Sequence, residues 1–420
     1  MPGVFSLPES LAAKWLVPRL CLQKHQKFYP LAKRLFPQWN PIQKESRLRE
    51  MIHMPDKNLL LMIPGPIQPE CEVMEVMGRP VQAHYGPEWT ALYNRTTGAL
   101  KQVFNTIGDV HLLVGSGSCA IDACIGSAFS TGEKVIIGVN GHFGERLQVI
   151  AEAYGLQTVM VEAEWGKPLR AEEFDAAIRK HLDAVGVCIV HLETSTTIIN
   201  PIEEIGSIVR NHGLCYFVDA VSSLGGLPMF MDEWNIDLCA TASQKCLGAP
   251  PGIGPAAVGP RGWEFIDRNP AKSHGWYSDL RVWRQYSIEW GDWHPFPISM
   301  ATNNVMALKT GVDNLLSEGV ESRLERYKKL ALRLRNGLRA IGMTPYTSDE
   351  LMAPVLTAAY GPNGVDTGKI VAYLAQEHLI RIAGGLGILK GKIIRIGHMA
   401  PTVSESDIDR VLDALSQFRE

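Results

Sequence analysis

The chain predicts an α/β fold, a mostly parallel sheet with helices on both faces and a smaller C-terminal α+β domain. Three features carry that expectation: short unbroken apolar runs, helical stretches alternating with them, and a change of texture near Thr310. Strands buried on both faces read as continuous apolar runs, and strands that alternate with helices call for parallel crossovers.

Residues 1–57 form an N-terminal extension dense in Pro, aromatic and basic residues, without sustained periodicity. Its Trp15, Phe28, Tyr29, Phe36 and Trp39 read as groups that pack on something. The regular pattern starts after it, so the large domain is expected over 58–310. Buried strands are expected at 110–114, 134–139, 158–161, 185–191, 214–218 and 236–240. Helices are expected at 120–130, 144–154, 171–181 and 202–211. Together these describe a sheet of the seven-stranded type. Beyond Thr310 a long charged helix over 320–341 leads into a shorter pattern ending in an amphipathic helix over 404–418. The small C-terminal domain is therefore expected over 311–420. No internal repeat is visible.

Composition removes several classes of function. A chain of 420 residues can bury one large core and a second, smaller one. With 46% hydrophobic and 20% charged residues it is ordinary globular material. A net charge of -3 and the lack of a basic stripe give no reason to expect nucleic acid. No run approaches the ~20 apolar residues of a membrane span. The eight cysteines are scattered, mostly in apolar runs, with no CxxC pair. They read as free thiols in a reducing compartment, and no metal site is expected. The first residues lack a basic segment leading into a clean apolar one, so a signal peptide is not expected. An excess of Lys and Arg over acids in the first fifty residues leaves a transit peptide open. The reading is a cytoplasmic protein.

Three segments carry chemistry. Val114-Gly115-Ser116-Gly117-Ser118-Cys119 runs from a strand end through a Gly/Ser turn into a helix. Exposed N–H groups and the helix dipole make such a junction a phosphate cradle. It has neither a GxGxxG spacing nor a terminal Gly-Lys-Ser/Thr, so it is no dinucleotide or Walker loop. Alone it is an ordinary helix start as often as a ligand seat. Asp219, in Phe217-Val218-Asp219-Ala220-Val221-Ser222-Ser223, stands at the carboxyl end of an apolar strand, where open α/β sheets bind ligands. A carboxylate there can pair with a protonated ring nitrogen; a helix-capping Asp is the plain alternative. Lys245, in Ala242-Ser243-Gln244-Lys245-Cys246-Leu247-Gly248, lies just past a strand among small and apolar residues. Desolvation lowers a lysine's pKa and favours the neutral amine that forms imines. An isolated lysine is usually a surface residue. A ring-nitrogen partner, an imine lysine and a phosphate seat at successive strand ends are together what pyridoxal phosphate requires.

From about Leu59 onward the chain resembles the class V, fold type I, aminotransferases, particularly the alanine–glyoxylate and serine–pyruvate group. The segments that carry the resemblance are Pro64-Gly65-Pro66, GSGSCAID (115–122), GVNGHFGER (138–146), HLETSTTIINP (191–201), VDAVSSLGG (218–226), SQKCLGAPPG (243–252), GGLG (384–387) and RIGHM (395–399). The resemblance implies a fold type I transferase that moves amino groups between small amino acids and 2-oxo acids through pyridoxal 5′-phosphate. It implies a homodimer with active sites near the interface. Lys245 would carry the cofactor and shuttle the proton, Asp219 would meet the pyridine nitrogen, and Thr194 would reach the ring hydroxyl. Phe143 would stack on the ring. Ser116, Gly117, Ser118 and Gln244 would hold the phosphate. Arg395 would grip the substrate carboxylate through its two-pronged guanidinium, helped by the backbone of Gly65.

The chain departs from the family pattern in two places. Where relatives often have a His-Thr pair that serves the neighbouring subunit's phosphate, this chain reads Trp293-His294-Pro295-Phe296-Pro297, with Thr302 as a candidate replacement. Pyridoxamine–pyruvate aminotransferase shares a similar RIGHM segment but has an arginine where this chain has Leu386, which ranks that reading lower. Other pyridoxal-phosphate reactions on the same fold stay open as alternatives: elimination, desulfuration and decarboxylation. Desulfuration calls for a mobile cysteine, and Cys246 directly follows Lys245. A binding protein without catalysis is the remaining alternative, and the intact Lys245, Asp219 and Arg395 argue against it.

Overall fold

A computed structural model describes residues 59–269 and 275–419. The expectations for the N-terminal extension, its aromatic residues and Cys21 lie outside the described residues. The helices are α1 (Cys71–Met77), α2 (Pro87–Phe104), α3 (Gly117–Ala128), α4 (His142–Ala153), α5 (Ala171–Lys180), α6 (Ile202–Asn211), α7 (Pro260–Arg268), α8 (Leu280–Glu289), α9 (Thr302–Glu318), α10 (Val320–Ala340), α11 (Thr367–Glu377) and α12 (Glu405–Ser416).

The described residues open on a short strand, β1 (Leu60–Leu61). The main sheet contains β2 (Asp109–Gly115), β3 (Lys134–Val139), β4 (Gln157–Glu162), β5 (Ala184–Val190), β8 (Cys215–Asp219), β9 (Leu238–Ala240) and β10 (Gly252–Val258). Between β5 and α6 the chain forms a small antiparallel pair, β6 (Leu192–Glu193) with β7 (Ile198–Ile199). The order of the main sheet is β2-β10-β9-β8-β5-β3-β4. The pairs from β9 to β4 are parallel, and β10 runs antiparallel between β2 and β9. The six expected strands are all present. The seventh, β10, has no counterpart among them, because Gly252, Gly254 and Pro255 make its sequence read as loop. Pro usually avoids central strands because it lacks an N–H. Here Pro255 faces Leu112 of β2, and its carbonyl accepts from Thr241 N–H at 2.9 Å. Small residues on β10 also serve α3: a β-carbon on Gly254 would lie 2.6 Å from the carbonyl oxygen of Ser116.

A second core lies around a three-stranded antiparallel sheet, β11 (Leu356–Tyr360), β14 (Ile393–Gly397) and β13 (Ala383–Gly384), with β14 in the middle. Tyr327, Leu330, Leu334 and Leu338 of α10 and Ile408, Val411 and Leu415 of α12 are buried in it. The change of texture read at Thr310 falls inside α9. Val305, Met306, Leu308, Val312 and Leu315 of that helix belong to the first core, and α10 begins only after Gly319, whose φ is +85°. The first described residues differ too. β1 pairs in parallel with β12 (Ile380–Arg381), and Met62 and Ile67 are buried in the second core. This thread ends beside the main sheet. Gly397 donates to Met62 O at 2.8 Å, and Ile67 donates to Gln244 O at 3.2 Å. Hence residues 62–67 bridge from β14 to the segment that carries Lys245.

Candidate active site

Strands β2, β3, β5, β8 and β9 point the same way, and the residues after their carboxyl ends surround one cavity. Its volume is about 120 Å³, well above the roughly 10–15 Å³ that a single water needs. Ser116, Gly117 and Ser118 line it after β2, and Phe143 and Arg146 from α4 after β3. Val190, Leu192 and Thr194 follow from β5, Asp219, Val221 and Ser222 from β8, and Gln244 and Lys245 from the segment after β9. Ligands gather at this edge of open α/β sheets because the strands end there and the next helices begin.

Ser116 is the N-cap of α3, with φ -84° and ψ 174°, and its hydroxyl makes no capping bond. Gly117 lets the turn close: a β-carbon there would stand 2.6 Å from Val221 Cγ2 and 3.0 Å from Ala242 Cβ. The free N–H groups of the first turn therefore face the cavity region with the positive end of the helix dipole behind them. The Gln244 side-chain oxygen is buried without a partner among the described residues.

Asp219 is 3% exposed at the last position of β8. Its Oδ1 accepts from Val221 N–H at 2.9 Å, and its Oδ2 lies 3.9 Å from an Arg146 guanidinium nitrogen. Burial pushes its carboxyl above the usual carboxylate range, and Arg146, the Val221 N–H and Lys245 pull the other way. Lys245 Nζ donates to the carbonyl of Pro64. Burial pulls its ammonium down from the ordinary lysine value to about 8, with Arg395 and Arg146 adding to the fall and Cys246 and Asp219 opposing it. Gly65 sits directly on this side chain: a β-carbon there would come within 2.6 Å of Lys245 Cδ and 2.8 Å of Nζ. Cys246 is fully buried, donates to Ser222 O at 3.6 Å, and has its thiol pushed up to about 12 by burial. A thiol so held is no mobile nucleophile, which counts against desulfuration.

Gly65 and Arg395 do not line the cavity but stand next to residues that do. Arg395 is the central residue of β14, opposite Ala358 and Ala383. Its Nε donates to Gly384 O and one terminal nitrogen to Thr194 O, each at 2.9 Å. Burial pulls its pKa down to about 10, against the charge of Glu193. All ten expected site residues thus gather at one place. Thr302 is the first residue of α9, 5% exposed, and its hydroxyl donates to Asn303 Oδ1 at 3.2 Å.

Two charged residues at the site escaped the sequence. Arg146 holds its guanidinium 4.7 Å from the centre of the Phe143 ring and faces Asp219. The i, i+3 spacing from Phe143 on one helix face was the available signal. Glu193, inside the HLETST segment, is fully buried, and its Oε2 accepts from Phe143 and Gly144 N–H at 3.0 Å each. No spacing rule links residues 143 and 193.

A half-buried lysine and a buried carboxylate at the strand ends of a mostly parallel sheet define a cofactor-type enzyme site in a fold type I transferase. The particular family emerges from comparison with known proteins. Residues 72–411 match the family described as aminotransferase class-V. An uncharacterized aminotransferase of Methanocaldococcus jannaschii is 39% identical over 81% of this chain and 87% of its own length. The crystal structure of alanine–glyoxylate aminotransferase from Nostoc sp. superposes with a TM-score of 0.83 at 32% identity, covering 87% of this chain and 96% of that one. The structure of ureidoglycine–glyoxylate aminotransferase from Bacillus subtilis gives 0.82 at 32% identity, over 87% and 93%. The chain belongs to the class-V aminotransferase family and is an aminotransferase, a family that is in general dependent on pyridoxal phosphate.

Lys245 offers a pH test. Imine formation needs the neutral amine, so uptake of pyridoxal phosphate by the apoprotein is expected to rise with pH through about 8 and level off above it. An ordinary lysine would place that rise near ~10.4. Stopped-flow absorbance across pH 6–11 separates the two; a midpoint above 10 would mean that the burial of Lys245 does not govern its chemistry.

Proposed function

We propose that the protein moves the amino group of a small, alanine- or serine-like amino acid to a 2-oxo acid such as glyoxylate or pyruvate, using pyridoxal 5′-phosphate carried on Lys245. The observation that carries the reading is the cavity itself, where an amine pulled toward neutrality and a buried carboxylate lie with the start of α3. The glyoxylate-linked relatives support the acceptor class.

The residues fit this cofactor. Asp219 is buried with its nearest guanidinium at 3.9 Å, so a protonated ring nitrogen would supply the close charge it lacks. Phe143 already holds one planar cation against its ring, and its face suits a planar aromatic partner. The Ser116 hydroxyl, which makes no capping bond, and the Gln244 side-chain NH2, a donor once the amide turns it inward in place of the orphaned oxygen, fit a phosphate at the α3 N-terminus, with Gly117 and Ser118. Thr194 lines the cavity where a ring hydroxyl would need a partner. When bound, the cofactor supplies an electron sink for the substrate's α-carbon. Asp219 keeps the ring nitrogen protonated. Lys245 Nζ removes the proton from the substrate's α-carbon and redelivers it. Two of the five N–H donors of Arg395 go to carbonyls, and the rest are available to the substrate carboxylate, alongside the Gly65 backbone.

The active protein is a homodimer in this reading. A largely exposed ridge of aromatic rings runs Tyr85, Trp293, Trp290, Tyr286, Trp276, with neighbouring centroids 4.5–6.5 Å apart. Exposed contiguous apolar surface of this kind marks contact with another protein, and the occupant this reading assigns to it is a second copy of the chain. A reducing, cytoplasmic setting agrees with seven free cysteines among the described residues, of which only Cys71 is exposed.

Borohydride reduction followed by peptide mapping is expected to place a pyridoxyl group on Lys245; labelling of any other lysine would overturn the assignment. Arg395→Ala is expected to lower kcat/KM toward α-carboxylate substrates about ten- to a hundredfold while leaving cofactor affinity nearly unchanged. Arg395→Lys should recover only part of the loss, because a point charge cannot replace the fork. Lost cofactor with intact substrate kinetics would show that the arginine serves the cofactor instead. For the ridge, Trp290→Ala/Trp293→Ala is expected to shift sedimentation from dimer to monomer, and an unchanged dimer would place the interface elsewhere.

A further inference from the structure

We propose that Glu193 is a positioning residue that sets Phe143 on the cofactor side of the site and Arg395 on the substrate side. The inference rests on the function proposed above and deepens it. Glu193 is completely buried. Its Oε2 accepts from the N–H groups of Phe143 and Gly144, each at 3.0 Å. Its Oε1 accepts from Ser195 N–H at 3.0 Å and from the Ser195 hydroxyl at 2.5 Å. The same hydroxyl oxygen accepts from His142 N–H at 3.0 Å. One carboxylate and one hydroxyl thereby satisfy three N–H groups in the first turn of α4, donors that no helix can satisfy internally. A negative charge at a helix N-terminus is also favoured by the dipole. The fit is tight: a β-carbon on Gly141 would stand 2.4 Å from Glu193 Cδ. The clamp fixes the start of α4, and so the direction from which Phe143, and Arg146 one turn later, enter the cavity.

The other half of the role runs through the next residue. Thr194 O accepts from Arg395 at 2.9 Å, so the Thr194–Ser195 peptide unit, whose N–H the carboxylate holds, also seats the guanidinium. A carboxylate has about four lone-pair sites, and those of Glu193 are taken by the four donors just named. Its charge therefore acts on Arg395 through its field and not through a fork. It offsets the burial of the guanidinium yet leaves the remaining N–H donors open to a substrate carboxylate. A carboxylate free to swing into a direct ion pair would compete with the substrate for them.

A purely structural buried glutamate would lower stability and add its effect to any other substitution. A positioning residue shows coupling to the two side chains it sets. The test measures pyridoxal phosphate affinity by absorbance titration and donor KM by steady-state kinetics, for Glu193→Gln in wild-type, Phe143→Ala and Arg395→Ala backgrounds. In wild type, Glu193→Gln is expected to weaken the cofactor about tenfold or more and to raise donor KM by a similar factor. The cofactor effect should shrink to within about twofold on Phe143→Ala, and the KM effect likewise on Arg395→Ala. Ser195→Ala removes only the bridging hydroxyl and should give smaller changes of the same pattern; it carries the test if Glu193→Gln fails to fold. Wild-type values in the single variants, or full additivity in both backgrounds, overturns the inference. A wild-type protein that takes up no pyridoxal phosphate would overturn the underlying function, and this inference with it.

Discussion

The site depends on carrying charges of both signs to the buried carboxyl end of the main sheet. Asp219, Glu193, Lys245 and Arg395 are each shifted away from ordinary titration by desolvation. An unpaired charge in such a place is costly, and the group neutralises or finds a partner. Glu193 finds four hydrogen-bond donors at a helix start, and they pull its carboxyl back against the rise that burial imposes. Asp219 has one backbone N–H and a guanidinium at 3.9 Å, and remains short of partners. Lys245 gives way toward the neutral amine. The same physics stabilises one carboxylate and leaves the other waiting for a cation.

Packing decides which of these groups meet. Small residues allow the main chain to close around the cavity: Gly117 against Val221, Gly254 against Ser116, and Gly65 against Lys245. The last contact joins the two cores. The thread through Met62 and Ile67 belongs to the second core, runs along the end of β14, and reaches the segment bearing Lys245. Arg395, on the middle strand of the small sheet, makes the matching contact through Thr194. Arg395 in the second core is thus tied mechanically to the cavity and Lys245 in the first.

Much of this was legible in the chain because parallel strands announce themselves. The runs at 134–139 and 214–218 are apolar throughout since both faces are covered, and the residues just beyond such runs fall at the ligand-binding edge. That logic points to Ser116, Asp219 and Lys245 from the chain alone. It fails for β10, where Gly and Pro mask a central strand, and at Thr310, where polar residues on one face of α9 look like the onset of a new domain.

The sequence by itself determined the class of fold, the order of six strands of the main sheet and of the helices between them, and the residue types that make the chemistry possible. These are local properties, set by periodicity and by the residues at the end of each apolar run. Only the tertiary structure decided that Glu193 clamps the turn holding Phe143, that Arg146 faces Asp219, and that Gly65 lies on Lys245. Those pairs are 50, 73 and 180 residues apart, and no hydrophobic period or turn preference reaches across such distances. They exist because close packing at the strand ends leaves each side chain one place to go.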